Sequence, residues 1–147
     1  MKIINRKATF DFEIREKLEA GIHLLGSEVK AVRLGHADLS GSYVKIIGLE
    51  AFLVNAKIFP FQYARPDNYD QIRTRKLLLH KREILNLKHK MEGSGLTIVP
   101  IAMYNTKNLI KLEVALGKGK KEYQKKEAKK RKDIDREVAE EFKRHLR

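Results

Sequence analysis

The sequence predicts a mainly β domain with small helices, followed by a strongly basic C-terminal tail. Its 147 residues, 42% of them apolar, are enough to close a single core. Short apolar runs alternate with turn-forming residues, which is typical of a small barrel or sandwich. The last 30 residues carry 13 Lys and Arg, against 19 in the preceding 117. We therefore divide the chain into a body, residues 1–117, and a tail, residues 118–147.

Six segments of the body have the residue pattern of strands. The clearest is Leu109 to Leu116, in which large aliphatic residues occupy every second position from Ile110 onward. Lys111, Glu113 and Ala115 lie between them, so one face is expected in the core and the other in water. Six strands are enough for a closed barrel. The predicted strands are Ala8 to Ile14, Ile22 to Leu25, Tyr43 to Ile47, Ala51 to Lys57, Thr97 to Tyr104 and Leu109 to Leu116.

Two predicted helices interrupt the strands. The first begins at Ser27, a favoured N-cap residue, and buries Val29 and Val32. It ends at Gly35, because glycine readily adopts the left-handed conformation that follows a helix. The second runs from about His80 to Met91 and has apolar residues at i, i+3 and i+7. The members of this buried stripe are Ile84, Leu87 and Met91.

Residue types disfavour several classes of function. The chain has no cysteine, which excludes disulfides and thiolate metal sites, and its five histidines lack the spacing of metal ligands. No motif indicates a nucleophile, so we predict no metal, no cofactor and no catalytic residue. The segment Met1 to Lys7 lacks the apolar stretch of a secretory signal, and the best apolar run, Leu96 to Tyr104, is too short to span a bilayer. A cytoplasmic protein is expected.

The formal net charge of +13 favours a polyanionic partner, because Lys and Arg neutralise phosphates and release their counterions. Nucleic acid is the preferred partner. An anionic membrane would call for an amphipathic helix with a broad apolar face or a lipidation site, and the sequence shows neither motif. A basic surface that serves only solubility is the remaining alternative.

The tail differs from the body in its physical character. Between Lys118 and Lys132 it holds nine basic and two acidic residues, with Tyr123 as the only large apolar side chain. Such a segment buries too little surface to offset its ordering entropy, so we expect it to be disordered in the free protein. A narrow apolar stripe at i+4 spacing predicts a helix that forms on a partner, the alternative being a helix packed permanently on the barrel. The stripe consists of Ile134, Val138, Phe142 and Leu146.

A basic cluster in the body extends from Arg73 to Arg82, where five cationic side chains flank an apolar hinge that leads into the second helix. The planar fork of Arg suits phosphate, and the free N–H groups of a helix start also attract anions. The alternative is a solvated charge cluster beside the core. Lys30 and Arg33 lie one turn apart on the first helix and form a weaker candidate, for which ordinary surface charge is the alternative.

Six sequence blocks together resemble one known family. They are Asn5 to Ala8, Glu19 to Ile22, Gly26 to Lys30, Arg73 to Leu79, Val99 to Pro100 and Gly117 to Lys121. Their order and spacing are similar to those of the SmpB family, the SsrA-binding proteins, and they extend over nearly the whole chain. The resemblance implies an OB-like, six-stranded antiparallel barrel plus the basic tail, and OB folds commonly bind oligonucleotides.

The resemblance also implies a function. A member of this family is expected to bind the tRNA-like domain of transfer-messenger RNA and to deliver it to stalled ribosomes for rescue by trans-translation. Its partners would be that RNA, the decoding centre and messenger channel of the small ribosomal subunit and, indirectly, elongation factor Tu, with the protein acting as a monomer. Two alternatives are a basic structural protein that binds ribosomal RNA and an enzyme that acts on phosphoesters.

Candidate contact residues of the body come from two sources. The resemblance implies RNA contacts by Glu19, Leu78 and His80, although Glu19 could instead be a structural ion-pair partner and Leu78 a core residue. His80 stands where some relatives carry asparagine. Cationic residues are added on grounds of charge. They are Lys7, Lys30, Arg33, Arg73, Arg75 and Lys76.

In the tail, the resemblance gives Tyr123 the aromatic position that stacks on a base of the decoding centre. The following Gln124 to Lys126 replace the Asp-Lys-Arg that is usual in the family, which keeps cationic character but loses the Arg fork. The predicted ribosome-binding residues are Lys118, Lys120, Lys121, Tyr123, Lys125, Lys126, Lys129, Lys130, Arg131, Lys132 and Phe142.

Overall fold

Strands dominate the computed structural model of the chain, which describes residues 1–62, 68–120 and 136. Nine strands and three helices are defined within these ranges. In chain order they are β1 (Lys2–Ile4), α1 (Arg6–Asp11), β2 (Phe12–Ile22), α2 (Gly26–Arg33), β3 (Ala37–Asp38), β4 (Tyr43–Ile47), β5 (Glu50–Val54), β6 (Lys57–Ile58), β7 (Arg75–Leu78), α3 (Lys81–Met91), β8 (Leu96–Thr106) and β9 (Leu109–Gly119).

Six antiparallel strands hydrogen-bond in a closed ring, in the order β8, β4, β5, β7, β2 and β9, with β9 pairing back to β8. The ring is not strictly a barrel, because the β4–β8 contact rests on the single pair Val44 and Ile98 and the β2–β7 contact on two pairs. β1 extends the edge of β8, and β3 pairs with β6 outside the ring. The prediction of a mainly β, OB-like fold with small helices is confirmed.

The alternation predicted along β9 places its aliphatic residues in the main core. Ile110, Leu112, Val114 and Leu116 are all buried there. The sequence had suggested that the opposite face lies in water. That face is in fact partly covered, because Ala115 is also fully buried. It belongs to a second, smaller core that α1 closes. The buried members of that core are Ala8, Val99, Ile101 and Ala115.

Helix α1 corrects the prediction of a strand from Ala8 to Ile14. Asn5 begins the helix, since its side-chain Oδ1 accepts a hydrogen bond from the backbone N–H of Ala8 at 3.2 Å. Its Nδ2 donates to the carbonyl oxygens of Leu39 and Pro100, at 3.1 and 2.8 Å. The Asn5 side chain therefore joins α1 to two distant segments, and the strand begins only at Phe12.

We expect Asn5→Ala to lower the free energy of unfolding by about 2 kcal/mol, because it removes a helix cap and leaves buried carbonyl groups without donors. Asn5 is only 2% exposed, so water cannot replace these bonds without a rearrangement. Urea unfolding followed by circular dichroism measures the change. Thr9→Ala is the control, because the Thr9 hydroxyl donates to the Arg6 carbonyl on the exposed side of α1. Equal stabilities of the two variants would contradict the prediction.

Other strand boundaries differ in ways that follow from local geometry. The prediction of Tyr43 to Ile47 is confirmed. The predicted strand Ala51 to Lys57 is split, because Asn55 has a φ of 65° and ends the extended run after Val54. β2 covers Phe12–Ile22, whereas the sequence predicted separate strands from Ala8 to Ile14 and from Ile22 to Leu25 and left residues 15–21 between them unassigned. The leucines of β7 had been taken for part of an apolar hinge.

The two predicted helices are confirmed, with one change at the start of the first. α2 begins at Gly26, one residue before the predicted cap, and Glu28 Oε1 accepts a hydrogen bond from the backbone N–H of Leu25 at 2.8 Å. Gly35 has the expected left-handed φ of 80° after the helix. In α3 the predicted stripe faces inward, with Ile84 and Leu87 buried.

The predicted boundary between body and tail falls inside β9, which continues to Gly119. Lys118 and Gly119 pair with Glu13 and Phe12 of β2. The backbone N–H of Lys120 then donates to the carbonyl oxygen of Asp11 at 2.9 Å. The predictions of disorder, of a helix formed on binding, and of the contacts of Tyr123, Phe142 and the basic residues from Lys121 to Lys132 lie outside the described residues.

Candidate RNA-binding groove

A groove of about 580 Å³ brings four of the predicted contact residues together. Glu19, Lys76, Leu78 and His80 all line it, although the first is separated from the others by more than fifty positions in the sequence. We call this site the β7 groove. Its remaining lining residues are Gly21, Leu49, Glu50, Leu77, Leu79, Lys81, Glu83, Ile84 and Lys111.

The alternation of side chains along β7 decides which of its residues reach the groove surface. Arg75 and Leu77 point inward and are buried, whereas Lys76 and Leu78 point outward. Leu78 is 56% exposed, so the alternative that it is a core residue is wrong. It lies against Gly21, where an added Cβ would come within 3.0 Å of the Leu78 Cβ. The missing side chain of Gly21 therefore makes room for an exposed leucine.

The start of α3 forms another wall of the groove. His80 precedes the first helical residue, and its backbone N–H donates to Glu83 Oε1 at 3.0 Å. The His80 side chain is exposed. Lys81 follows it and lines the same groove. The basic helix start that the sequence predicted thus lies at the groove.

Glu19 is held by a tyrosine that the sequence did not single out. The Tyr104 hydroxyl donates a hydrogen bond to Glu19 Oε2. Burial, this bond and the negative charges of Glu19 and Glu113 raise the pKa of Tyr104 to about 12, so the phenol remains a donor at neutral pH. In the part of the chain that the structure describes, no Lys or Arg forms an ion pair with Glu19. The alternative of a structural ion pair is therefore not supported.

The groove carries charges of both signs. Lys76, Lys81 and Lys111 line it together with three carboxylates. The Lys76 Nζ lies 3.8 Å from a carboxylate oxygen of Glu50, and both side chains are about half exposed. Such a pair is weak in water, which leaves the ammonium available to a phosphate. Cations beside hydrogen-bond acceptors suit a ligand that presents both phosphates and N–H or O–H donors.

The prediction that Arg75 contacts RNA is wrong. Its side chain is 0% exposed and its guanidinium group is surrounded by protein acceptors. Nε donates to Glu28 Oε2 at 2.9 Å, and Nη1 donates to the Ala56 carbonyl at 2.6 Å. Nη2 donates to Glu28, to the Gln71 carbonyl and to the Tyr69 hydroxyl. A strand residue that points inward cannot reach a phosphate, whatever its charge.

Glu28 is the centre of this buried network and is only 1% exposed. Burial opposes its ionisation most strongly, but hydrogen bonds from Arg73, the Leu25 N–H and Arg75 outweigh that cost and lower the pKa of the carboxyl. Tyr69 adds a hydroxyl donor at 3.0 Å. The network joins α2 to β7 and thereby supports the strand that carries Lys76 and Leu78.

The other predicted cations lie away from the groove. Arg73 is mostly engaged, since its Nε and Nη2 both donate to Glu28, and its side chain is 27% exposed. Lys30 lies over the ring of Phe61 at 5.5 Å, and Arg33 Nη2 donates to the Asn108 carbonyl at 3.1 Å. Both therefore belong to a separate surface on α2.

Three other predicted cations, Lys7, Lys118 and Lys120, also lie outside the β7 groove. Lys7 lines a different hollow beside α1. Lys118 is exposed near the end of β9, and the neighbouring Lys120 donates from Nζ to the Thr9 carbonyl at 3.2 Å. RNA contacts by these residues stay predictions.

Two kinds of feature are absent from the described ranges. No helix there is long and apolar enough to cross a membrane. The described His, Asp and Glu residues form no cluster of three or more that could hold a metal ion.

Comparison with known proteins gives a consistent result. The family model described as "SmpB protein" matches residues 2–144. The SsrA-binding protein of Sulfurihydrogenibium sp. (strain YO3AOP1) is 50% identical over 139 residues, which cover 95% of this chain and 91% of the relative. That of Chlorobaculum tepidum is 46% identical over 137 residues, covering 92% and 87%.

A solved structure is also similar in fold. A chain of "tmRNA-SmpB: a journey to the center of the bacterial ribosome" superposes with a TM-score of 0.69 and 42% sequence identity. The match covers 82% of this chain and 85% of the solved one. The similarity therefore extends over the ring of strands and is not confined to one motif.

Proposed function

This chain belongs to the SmpB family, and we propose that it binds transfer-messenger RNA and delivers it to stalled ribosomes for rescue by trans-translation. The β7 groove is the observation that carries the proposal. Of the body residues implied by the family resemblance, Glu19, Leu78 and His80 all line this one groove. The solved relative is described together with tmRNA and the bacterial ribosome, which supports the same partners for this chain.

The groove can recognise RNA through three kinds of contact. Lys76, Lys81 and Lys111 engage backbone phosphates. Leu78 offers an exposed apolar surface against a base or a ribose. Glu19 accepts a hydrogen bond from a base edge or a sugar hydroxyl. The phosphates of the RNA cannot make this contact, because they have no hydrogen-bond donor. The body thus reads RNA shape and local donors, in accord with the way proteins recognise structured RNA.

The tail supplies a second activity in this proposal. Its basic residues and Tyr123 bind the small ribosomal subunit at the decoding centre and along the vacant messenger channel, where phosphates are dense and unpaired bases can stack on an aromatic ring. Elongation factor Tu is an indirect partner through the RNA. The protein acts in the cytoplasm as a monomer, by binding and not by catalysis, and without a cofactor.

The direct test is to purify the full chain at moderate salt and to sequence the RNA that accompanies it. A single transfer-messenger species supports the proposal. Predominant ribosomal RNA would favour a structural ribosomal protein, and a metal-dependent activity on phosphoesters without bound RNA would favour an enzyme.

We expect replacement of the three groove lysines by glutamine, in Lys76→Gln, Lys81→Gln and Lys111→Gln, to weaken binding to the tRNA-like domain. The slope of log affinity against log salt should fall by about 0.7 to 0.9 for each lost phosphate contact. Filter binding at several salt concentrations measures both quantities. Arg75 is left unchanged, because its loss would disturb the core.

The matched control changes the same net charge elsewhere. Lys2, Lys45 and Lys107 are exposed and do not line the β7 groove. Their triple glutamine variant should keep a slope close to that of the unmodified chain. Equal slopes for the two triple variants would mean that the groove lysines are only solvated surface charges.

A further inference from the structure

The hydrogen bond between Tyr104 and Glu19 connects residues on two strands that are not neighbours. Tyr104 lies on β8 and Glu19 on β2, and β9 runs between these strands. In the sheet register Tyr104 is opposite Lys111, and Glu19 is opposite Glu113. The Tyr104 side chain therefore extends across the outer face of β9 to reach the carboxylate at the groove.

The two carboxylate oxygens of Glu19 differ in their contacts. Oε2 of Glu19 accepts the Tyr104 hydroxyl, whereas Oε1 has no hydrogen-bond or ion-pair partner among the described residues. A carboxylate has room for several donors, so Oε1 can accept a bond from a ligand in the groove. The bond to a charged acceptor is strong, and it fixes a side chain that otherwise rotates about three single bonds.

The surrounding charges explain why the carboxylate needs such a restraint. Glu113 stands opposite it on β9 and repels it, while Lys111 lines the same groove and attracts it. Released from Tyr104, Glu19 could turn towards Lys111 and neutralise a cation of the groove. A neutral hydroxyl donor holds the carboxylate without placing another cation beside the groove, where that cation would compete with the groove lysines for phosphate.

We infer that Tyr104 is a positioning residue for RNA recognition: its hydroxyl holds Glu19 so that Oε1 accepts a hydrogen bond from a base N–H or a ribose hydroxyl of the bound RNA. The inference deepens the proposed function and rests on it. Tyr104 itself need not touch the RNA. Its contribution passes through Glu19 and disappears when the Glu19 carboxylate is absent.

The test is a double-mutant cycle in the full chain with Tyr104→Phe and Glu19→Ala, measured as affinity for the tRNA-like domain of transfer-messenger RNA. Tyr104→Phe removes one oxygen atom and should weaken binding about three- to tenfold, the range expected for one lost hydrogen bond that orients a charged group. Its salt slope should stay unchanged, because no phosphate contact is lost. In the Glu19→Ala background the same change should alter affinity by less than about twofold.

Controls separate positioning from general damage. Tyr43→Phe removes a hydroxyl from an exposed tyrosine that does not line the groove, and it should bind like the unmodified chain. Thermal unfolding shows whether Tyr104→Phe remains folded. An NMR titration of tyrosine Cζ supplies a readout free of RNA: the Tyr104 phenol, whose pKa is about 12, should ionise at a lower pH in Glu19→Ala, because a negative neighbour has been removed.

Substituted RNA distinguishes the two donors. If a ribose hydroxyl donates to Oε1, one 2′-deoxy substitution in the tRNA-like domain should abolish the effect of Tyr104→Phe. If a base N–H donates to Oε1, no single 2′-deoxy substitution should abolish that effect. Unchanged affinity of Tyr104→Phe, or an equal loss in both Glu19 backgrounds, would overturn the inference. Failure of the unmodified chain to bind transfer-messenger RNA would instead reject the proposed function.

Discussion

Glu28→Ala is expected to lower the free energy of unfolding by about 3 to 5 kcal/mol, because it removes the carboxylate that two arginines share and leaves the Arg75 guanidinium buried without an anion. Chemical denaturation of the isolated protein measures this change. The loss should exceed that of Asn5→Ala, which removes only neutral hydrogen bonds.

The matched control is Glu50→Ala. Its carboxylate also pairs with a cation, Lys76, but both side chains are about half exposed and the atoms lie 3.8 Å apart. Exposed pairs contribute about 0 to 1 kcal/mol, so this variant should remain close to the unmodified chain in stability. If Glu28→Ala proved as mild as Glu50→Ala, the network would not be important for holding α2 against β7.

The same network predicts how stability depends on pH. The folded-state pKa of Glu28 lies below its ordinary value of 4.5, so its ionisation contributes stability fully above that value. The contribution is lost as the pH falls through the folded-state pKa, where the carboxyl is protonated in the native protein as well. The difference in stability between the unmodified chain and Glu28→Gln should therefore be constant near neutral pH and shrink in acid.

The network also shows where sequence reasoning about charge fails. Arg73, Arg75 and Lys76 form one basic cluster in the sequence, but both arginines donate to the buried Glu28, whereas Lys76, the next residue along β7, faces solvent. Strand alternation likewise separates Leu77 from Leu78. If β7 had been recognised as a strand, its alternation would have predicted which side chains are buried, but its leucines were instead taken for an apolar hinge.

Long-range contacts account for other features that the sequence did not predict. α1 depends on Asn5, whose side-chain amide donates to the carbonyls of Leu39 and Pro100. The strand predicted from Ala8 rested on local residue preference, which does not reveal such distant contacts. The Tyr104 bond to Glu19 spans 85 positions in the sequence and has no local signal. By contrast, regular alternation along β9 and the spaced stripe of α3 were predicted correctly, because each depends on a periodic pattern within one element.

The place where the body ends determines how a tail experiment should be designed. β9 continues through Gly119, and Lys120 is held to α1 by its backbone and its side chain. Gly117 lies close to Phe12, since an added Cβ would come within 3.0 Å of the Phe12 Cβ. A deletion from Lys118 would therefore remove part of the ring. A cut after Lys120 preserves all nine strands that the structure describes.

Deleting residues 121–147 is expected to leave the body folded and bound to transfer-messenger RNA, yet to reduce peptide tagging on stalled ribosomes to background. The deletion removes Tyr123 and eleven of the 13 basic residues counted in the tail but no residue of the β7 groove, so it separates delivery from RNA recognition. RNA affinity, measured by filter binding, and tagging in a reconstituted translation system give the two readouts. The triple groove-lysine variant is the reciprocal control, because it should lose RNA affinity while keeping its tail. Full tagging by the shortened protein would reject the tail's proposed role, and loss of RNA binding would make the tail part of the primary site.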